Sequence, residues 1–530
     1  MITIREAGPG DVAGVRDLFR ACYGDDYPYE QYYDPDRLTR LVYSDSQVLL
    51  VAEDTGAQRI LGTASVLMEM GAMSDLIAEF GRLAVHPGAR GLGIGGRLMD
   101  ERVARVRDRL HLGFAEARIT HPFSAKISEA HGFSPVGLLP LKLQVRARES
   151  LCLMARHFGE GLSLRRNHPR VVPEAYALAE LALEHCGLPC DVVADEDSAS
   201  YPSADGLTTK ALTSEGYSTL LRMERGRVRH REVFGPLRLH YGLFKLRSRH
   251  SHYLLAMEGE RVRGGVGWNE DPIDRTIRVF ELIALDDGIA RFLLEALERS
   301  AREQGETAFI EIDVSAHAPG MQRTLLELGF LPAAYVPAMV FSDVERLDIV
   351  KMVRLLVPPD FPPLEMSPRV AAMARLVLAP FALQRLLPRI ERAVGELPVF
   401  RGLGPEQVAR LAGACRVVRF EAGERIIEEG VRDATLHVLL SGRASVRRAG
   451  VDRPVGRVGS GECLGETSAL TGEPHSASAQ ADEPVETAAL SRADLSEVIR
   501  RRPDIGLAIY RNLAVGLGAK LGRASANQEP

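Results

Sequence analysis

Arg90-Gly91-Leu92-Gly93-Ile94-Gly95-Gly96 combines one cation with four glycines in seven positions. Glycine lets a backbone approach a ligand with no Cβ in the way. An apolar run ending Leu83-Ala84-Val85 precedes the loop, and a helical pattern with Leu98, Val103 and Val106 follows it. Strand, glycine turn and helix leave unpaired N–H groups at a helix N-terminus, where the dipole favours an anion. No Gly-Lys-Ser/Thr follows, so this is not a Walker A loop. The first glycine does not directly follow the strand, so it is not a dinucleotide fingerprint. Glu79 stands six residues before Val85. Strand alternation predicts that Glu79, Gly81, Leu83 and Val85 share a face, which makes Glu79 the candidate proton acceptor near the loop. The plain alternative is a solvated glutamate at a strand end.

These residues need elements to position them. Residues 1–145 alternate strands and helices: a strand Ile2–Arg5, helices from Pro9 to Cys22 and from Tyr29 to Val42, and strands Val48–Ala52, Leu61–Leu67 and Ala78–Val85. The loop and its helix follow, then a strand near Gly113–Ile119, a helix Pro122–His131 and a strand Pro135–Val145. The layout predicts an α/β fold with helices covering a mixed sheet.

At 530 residues the chain is too long for one core. Hydrophobic content of 45% and charged content of 26% are those of ordinary globular protein. A net charge of −5 gives no sign of a nucleic-acid-binding body. Six cysteines lack a repeated spacing, and Cys186-Gly-Leu-Pro-Cys190 has no second ligand pair, so free thiols and no metal are expected. No stretch reaches the ~18 uninterrupted apolar residues of a membrane span, and no apolar signal core opens the chain. A cytoplasmic protein without membrane partners is the expectation.

Arg90-x-x-Gly93-x-Gly95, after a strand ending Leu-Ala-Val-His-Pro, resembles the acetyl-coenzyme A signature of the GNAT acetyltransferases. The resemblance implies that Leu83, Ala84, Val85 and Arg90 to Gly96 (Arg90, Gly91, Leu92, Gly93, Ile94, Gly95, Gly96) bind acetyl-coenzyme A. It also implies that a main-chain N–H near Ala84 or Val85 polarises the thioester. Several family members carry a glutamate where Glu79 stands. The tyrosine that many members use as general acid would fall at Ser128, so His121, Ser124 and His131 are the substitutes, with His121 preferred. The loop from Tyr23 to Asp34, with five tyrosines and four acids, borders the acceptor site in this family and suits a cationic amine.

Residues 146–345 echo the first section. Phe280-Glu-Leu-Ile-Ala-Leu285 reads against Phe80-Gly-Arg-Leu-Ala-Val85, and Leu328-Gly329-Phe330 against His131-Gly132-Phe133. Where the glycine loop should recur stands Asp286-Asp287-Gly288-Ile289, which would repel a pyrophosphate. A second, degenerate GNAT-like domain is expected, two unrelated α/β domains being the alternative. Residues 346–395 read as a Pro-punctuated helical linker, with Val350–Leu356 and Met373–Leu387 as helices, serving as a connector, a docking helix or a dimer contact.

From 396 to 530 the pattern becomes short strands at glycine breaks, which predicts a β-roll followed by helices Arg492–Arg502 and Asp504–Lys520. Phe420-Glu-Ala-Gly423, Leu440-Ser-Gly442, Gly461-Glu-Cys-Leu-Gly465-Glu466 and Gly472-Glu-Pro-His-Ser476-Ala resemble cyclic nucleotide-binding domains in order and spacing. By that resemblance Gly465, Glu466, Thr467, His475 and Ser476 bind the nucleotide, with cyclic AMP as possible effector. His475 holds the place of the family's phosphate-binding Arg, and a neutral imidazole cannot supply a bidentate clamp. No helix-turn-helix pattern follows before Pro530.

The combination resembles bacterial lysine acetyltransferases under cyclic nucleotide control. It implies an acetyl-coenzyme A dependent N-acyltransferase acting on a protein lysine or a small-molecule amine, possibly as a homodimer. A tandem small-molecule acyltransferase and a non-catalytic coenzyme A and nucleotide sensor are the alternatives.

Overall fold

Alternation from Ile2 builds an edge strand, the continuous apolar run Val48–Ala52 builds a strand buried on both faces, and amphipathic runs between strands build the covering helices. The computed structural model describes residues 1–526 apart from Asp26, 69–70, 227–230, 242–250, 363, 385–400, 405–406, 409–410, 412–413 and 452. Two compact units divide the chain, Met1–Leu378 and Ala379–Pro530.

In the first unit the elements run β1 (Ile2–Glu6), α1 (Val12–Tyr23), α2 (Pro35–Val42), β2 (Gln47–Asp54), β3 (Arg59–Leu67) and β4 (Ile77–Val85). Then come α3 (Ile94–Val106), β5 (Leu112–Arg118), α4 (Pro122–Ala130), β6 (Ser134–Gln144) and β7 (Arg148–His157). The helix expected from Tyr29 starts only at Pro35. Pro35 takes the first helical position, and the Asp34 carboxylate accepts the N–H groups of Asp36 and Arg37 at 2.9 and 3.2 Å.

The second half of the unit runs α5 (Pro173–His185), β8 (Thr208–Ala211), α6 (Ser214–Gly226), β9 (Ser251–Glu258), β10 (Arg261–Asp271) and β11 (Thr276–Ala284). It continues with α7 (Asp287–Gln304), β12 (Phe309–Ser315), α8 (Pro319–Glu327), β13 (Leu331–Ser342) and β14 (Glu345–Leu355). Among the described residues all these strands form one sheet, in the order β1-β2-β3-β4-β5-β7-β6-β13-β14-β12-β11-β10-β9-β8. The order reads the same from both ends. Each half has one parallel pair, β4 with β5 and β11 with β12, and each places its last strand next to last in order. The halves meet at one bridge, Gly137 opposite Ala334. A Cβ on Gly137 would strike Ala334, so the join needs glycine.

The expected helix over Val350–Leu356 is a correction. Residues 350–355 belong to β14, which is paired with β12 and β13 and buried on both faces, and Leu356 follows it. A short apolar run buried on both faces carries no period that separates strand from helix. Residues 373–384 of the second expected helix lie in α9 (Pro368–Gln384), while its residues 385–387, residues 385–395 of the expected linker and Asp26 lie outside the described residues.

In the second unit β15 (Arg416–Phe420), β16 (Arg425–Ile427), β17 (Thr435–Ser441), β18 (Ala444–Arg447), β19 (Gly456–Val458), β20 (Cys463–Leu464), β21 (Ser478–Ala481) and β22 (Val485–Ser491) make two four-stranded sheets. Their orders are β15-β22-β17-β20 and β16-β21-β18-β19. The short helix α10 (Glu466–Thr471) interrupts them, and α11 (Arg492–Arg501) and α12 (Pro503–Ala526) follow. Val438, Leu440, Leu490, Leu495, Ile505 and Ile509 share the core.

Candidate functional site

β4 and β5 pair only over Ile77–Glu79 against Leu112–Phe114. Beyond Glu79 they part, and among the described strands none fills the gap. β4 therefore presents to this side an unpaired edge from Phe80 to Val85, which includes the Ala84 and Val85 N–H groups expected at the thioester. At its end the Val85 carbonyl accepts the Cys22 thiol at 3.4 Å.

The loop leaves this edge through a turn in which Gly91 (φ +85°) and Gly93 (φ +71°) take the left-handed conformation. Around both, the space a Cβ would occupy is open to 4 Å. Gly93 caps α3 without a side chain, so the first-turn N–H groups of Ile94, Gly95 and Gly96 have no capping side chain and follow the exposed turn Gly91–Gly93. Gly95 serves packing, since a Cβ there would lie 2.9 Å from Ile127 Cδ1 on α4. Arg90 and Leu92 are exposed beside this turn. One cation, bare N–H groups and an open strand edge fit a coenzyme A pyrophosphate and pantetheine arm.

The second half has the same two features, both occupied by its own chain. β11 and β12 also part, after Val279 opposite Ile312. The buried strand Val233–Phe234 pairs with Asp313 and Val314 of β12, and Gly235 beside it is pressed against Phe280. The N-terminus of α7 is capped by the Asp286 carboxylate, which accepts the Ile289 N–H at 3.0 Å. An anion-binding terminus already holding a carboxylate has no place for a pyrophosphate.

A bulge corrects the face expected for Glu79. Thr63 pairs with Ala84 but Ser65 pairs with Gly81, which leaves one extra residue on β4 at Arg82 (φ +54°). Glu79 and Gly81 therefore share a face with Ala84, while Leu83 and Val85 pack toward Ile94 and Leu98 of α3. Arg102 holds the bulge from below, donating to the carbonyls of Gly81 at 3.1 Å and Ser65 at 3.3 Å. Its guanidinium lies 5.6 Å from the Phe80 ring centroid, and burial pulls its pKa down to about 9.

The bulge turns Arg82 toward Glu79, whose Oε1 it meets at 2.7 Å. Burial opposes the Arg82 charge, while Glu79, Tyr32, Tyr27 and Tyr29 favour it. The tyrosines of the loop expected to border the acceptor site pack against one another and against Phe19. Tyr32 is buried and stacks on Phe19 at 4.5 Å, with Tyr27 between Phe19, Tyr23 and Tyr29. They make an aromatic wall beside the Glu79–Arg82 pair. Burial pushes the Tyr27 and Tyr29 hydroxyls well above their ordinary range.

His121 is exposed at the start of α4 and makes no capping bond. It neighbours Glu149, which accepts Arg118 through both oxygens at 2.8 and 2.6 Å and the Thr120 hydroxyl at 2.7 Å. His131 is committed elsewhere: its Nδ1–H donates to the Ile127 carbonyl at 2.6 Å and its Nε2 lies 3.2 Å from Asp100. Sequence reading missed Arg82, Arg102 and Arg118. Only the arginine after Gly81 hinted at the first, and nothing local marked the others.

In the second unit Gly465 caps α10 with φ +78° and packs against the Thr435 carbonyl and His475. His475 is 5% exposed, its backbone N–H donates to Val431 O at 3.0 Å, and its Nε2 has no hydrogen-bond partner among the described residues. Thr467 and Ser476 are exposed, and Glu466 is half-buried. The structure thus gathers Gly465 and His475 around the start of α10.

Comparison with known proteins gives two family matches, one toward each end of the chain. Residues 12–133 match the Acetyltransferase (GNAT) family, and residues 417–502 match the Cyclic nucleotide-binding domain. The chain therefore carries a GNAT acetyltransferase domain toward its N-terminus and a cyclic nucleotide-binding domain toward its C-terminus. The C-terminal domain is 35% identical over 102 residues to a cAMP-dependent protein kinase regulatory subunit of Emericella nidulans, covering 19% of this chain and 25% of that one. It is 34% identical over 130 residues to the Cyclic AMP receptor protein of Thermus thermophilus, covering 24% and 58%. The chain thus spans about a quarter to somewhat over half the length of these relatives. Among solved structures, a ribosomal-protein-S5-alanine acetyltransferase from Vibrio fischeri is 17% identical with a TM-score of 0.27, covering 29% of this chain and 92% of that one. No helix among the described residues is long and apolar enough to cross a membrane, and no cluster of His, Cys, Asp and Glu there could hold a metal.

Proposed function

We propose that the chain transfers an acetyl group from acetyl-coenzyme A to the nitrogen of an amine, a protein lysine or a small cationic amine, and that its cyclic nucleotide-binding domain regulates the transfer. The observation that carries the reading is the parted β4 edge beside a glycine-capped helix, which nothing among the described residues occupies, against its filled counterpart in the second half.

On this reading Arg90 and the N–H groups from Gly91 to Gly96 hold the pyrophosphate, and the free edge of β4 orients the acyl arm. A β4 N–H near Ala84 or Val85 stabilises the developing oxyanion. Glu79, oriented by Arg82 and sharing a face with Ala84, accepts the proton that the attacking amine loses. His121 returns a proton to the departing thiolate. The second half, from α5 to β14, acts as a degenerate GNAT copy without its own donor site.

Calorimetry with acetyl-coenzyme A tests the donor site. Wild-type protein should bind one equivalent per chain, and Arg90→Glu should weaken binding at least about tenfold. Two equivalents, or equal affinity in the variant, would contradict the assignment.

A further inference from the structure

We propose that the second half completes the acceptor side of the first, through the turn from Asp271 to Arg275, and that Asp274 is the residue that positions Tyr29 there. The inference rests on the acyltransferase reading above, since it deepens the acceptor side of that same site.

Asp274 is 6% exposed, yet both its carboxylate oxygens are engaged by the first half. Oδ2 accepts the Tyr29 hydroxyl at 2.7 Å, and Oδ1 accepts the Gln144 N–H at 2.8 Å. Its carbonyl accepts the Arg148 guanidinium at 2.8 Å. Within the turn, Asp271 Oδ1 accepts the N–H groups of Ile273 and Asp274, which fixes the loop that presents the carboxylate. One turn of the second half thus grips three segments of the first: the α1–α2 loop, the end of β6 and the start of β7.

A carboxylate this buried is tolerated only where its oxygens are met by donors. Burial and Asp271 push its pKa up, while the Gln144 N–H, Tyr29 and Lys142 pull it down. From Tyr29 the contact passes to Tyr27, with ring centroids 5.5 Å apart. Tyr27 in turn stands in the field of Glu79 and Arg82. Tyr29 is therefore the joint between Asp274 and the wall beside the proposed base. The second half keeps this contact although Asp286 and Val233–Phe234 fill its own donor site. Its part in the chemistry is to shape where the amine sits.

The test uses full-length wild type, Asp274→Ala and Tyr29→Phe, with acetyl-coenzyme A as donor and with spermidine and a lysine-containing peptide as acceptors. Tyr29→Phe removes one hydrogen bond to the carboxylate and Asp274→Ala removes that bond and the one from the Gln144 N–H, and each should raise the acceptor KM about tenfold or more. The KM for acetyl-coenzyme A should stay within about twofold, a split that general misfolding would not give. The double variant should be no worse than the poorer single one. Hydrogen exchange of residues 27–34 in the free protein supplies a readout independent of turnover. Both single variants should speed it about tenfold, and Arg90→Glu should leave it unchanged. Unchanged exchange and unchanged acceptor KM in both variants would overturn the inference. Wild type that acetylates neither amine would overturn the acyltransferase reading, and the exchange arm would still decide the role of Asp274.

Discussion

Arg82 Nη1 lies 2.7 Å from Glu79 Oε1, and Arg82 is itself the extra residue of the β4 bulge that lies between Gly81 and Ala84. Arg82 orients the carboxylate rather than touching an acyl donor. Arg82→Leu should therefore lower kcat about ten- to hundredfold while leaving the KM for acetyl-coenzyme A near its wild-type value. Steady-state rates with varied donor check this, and a variant at full kcat would remove Arg82 from the account.

The two halves differ at one cap. Gly93 leaves the start of α3 bare, whereas Asp286 fills the start of α7 with a carboxylate. Gly93→Asp writes the second half's cap into the first. The left-handed φ of +71° strains any side chain at this position, and a carboxylate N-cap needs extended backbone, so the melting temperature should fall. Affinity for acetyl-coenzyme A should fall further, at least about tenfold, because like charges would meet at the proposed pyrophosphate site. Calorimetry and thermal unfolding separate the two effects.

The second unit carries a pH-dependent element. His437 is 5% exposed, its Nδ1 lies 3.1 Å from the Thr487 hydroxyl, and Phe420 meets it edge-on. Burial, aided by His475 and opposed by Asp433, pulls its pKa down to about 4. The unfolded chain takes up that proton near the ordinary value of about 6.5. Stability from this group is therefore fully present above about pH 6.5 and falls as pH drops toward 4. The loss reaches roughly 3 kcal/mol. Hydrogen exchange of residues 435–441 at pH 7 and pH 4.5 should show it in the wild type, and His437→Gln should flatten it.

His475 stands by sequence resemblance where the cyclic nucleotide-binding family has its phosphate-binding Arg, and its ring packs against Gly465 at the start of α10. His475→Arg should raise affinity for cyclic AMP at least about tenfold at pH 7, because a guanidinium adds a charged bidentate clamp. Equal affinity in wild type and variant would take position 475 out of nucleotide binding.

How far the sequence carried these conclusions depended on whether the signal was local. Arg90 to Gly96 could be read because a left-handed turn and a bare helix start demand glycines at fixed offsets. The strands of the β-roll could be read because Gly423, Gly430, Gly442 and Gly450 punctuate them, and β17 falls where expected, at Thr435–Ser441. The face of Glu79 could not, because the bulge is defined by register against β3 rather than by anything in β4. β14 looked helical because burial on both faces erases its period. Tyr29 and Asp274, 245 residues apart, and the strand Val233–Phe234 inside the second gap, are products of topology that no local pattern encodes.

Thiol release from acetyl-coenzyme A in the presence of spermidine or a lysine-containing peptide, compared between wild type and Glu79→Gln, tests the central claim most directly. The account predicts amine-dependent release by the wild type and a fall in kcat of about a hundredfold or more in the variant, with acetyl-coenzyme A binding preserved. Equal rates in the two proteins, or release that ignores the amine, would contradict it.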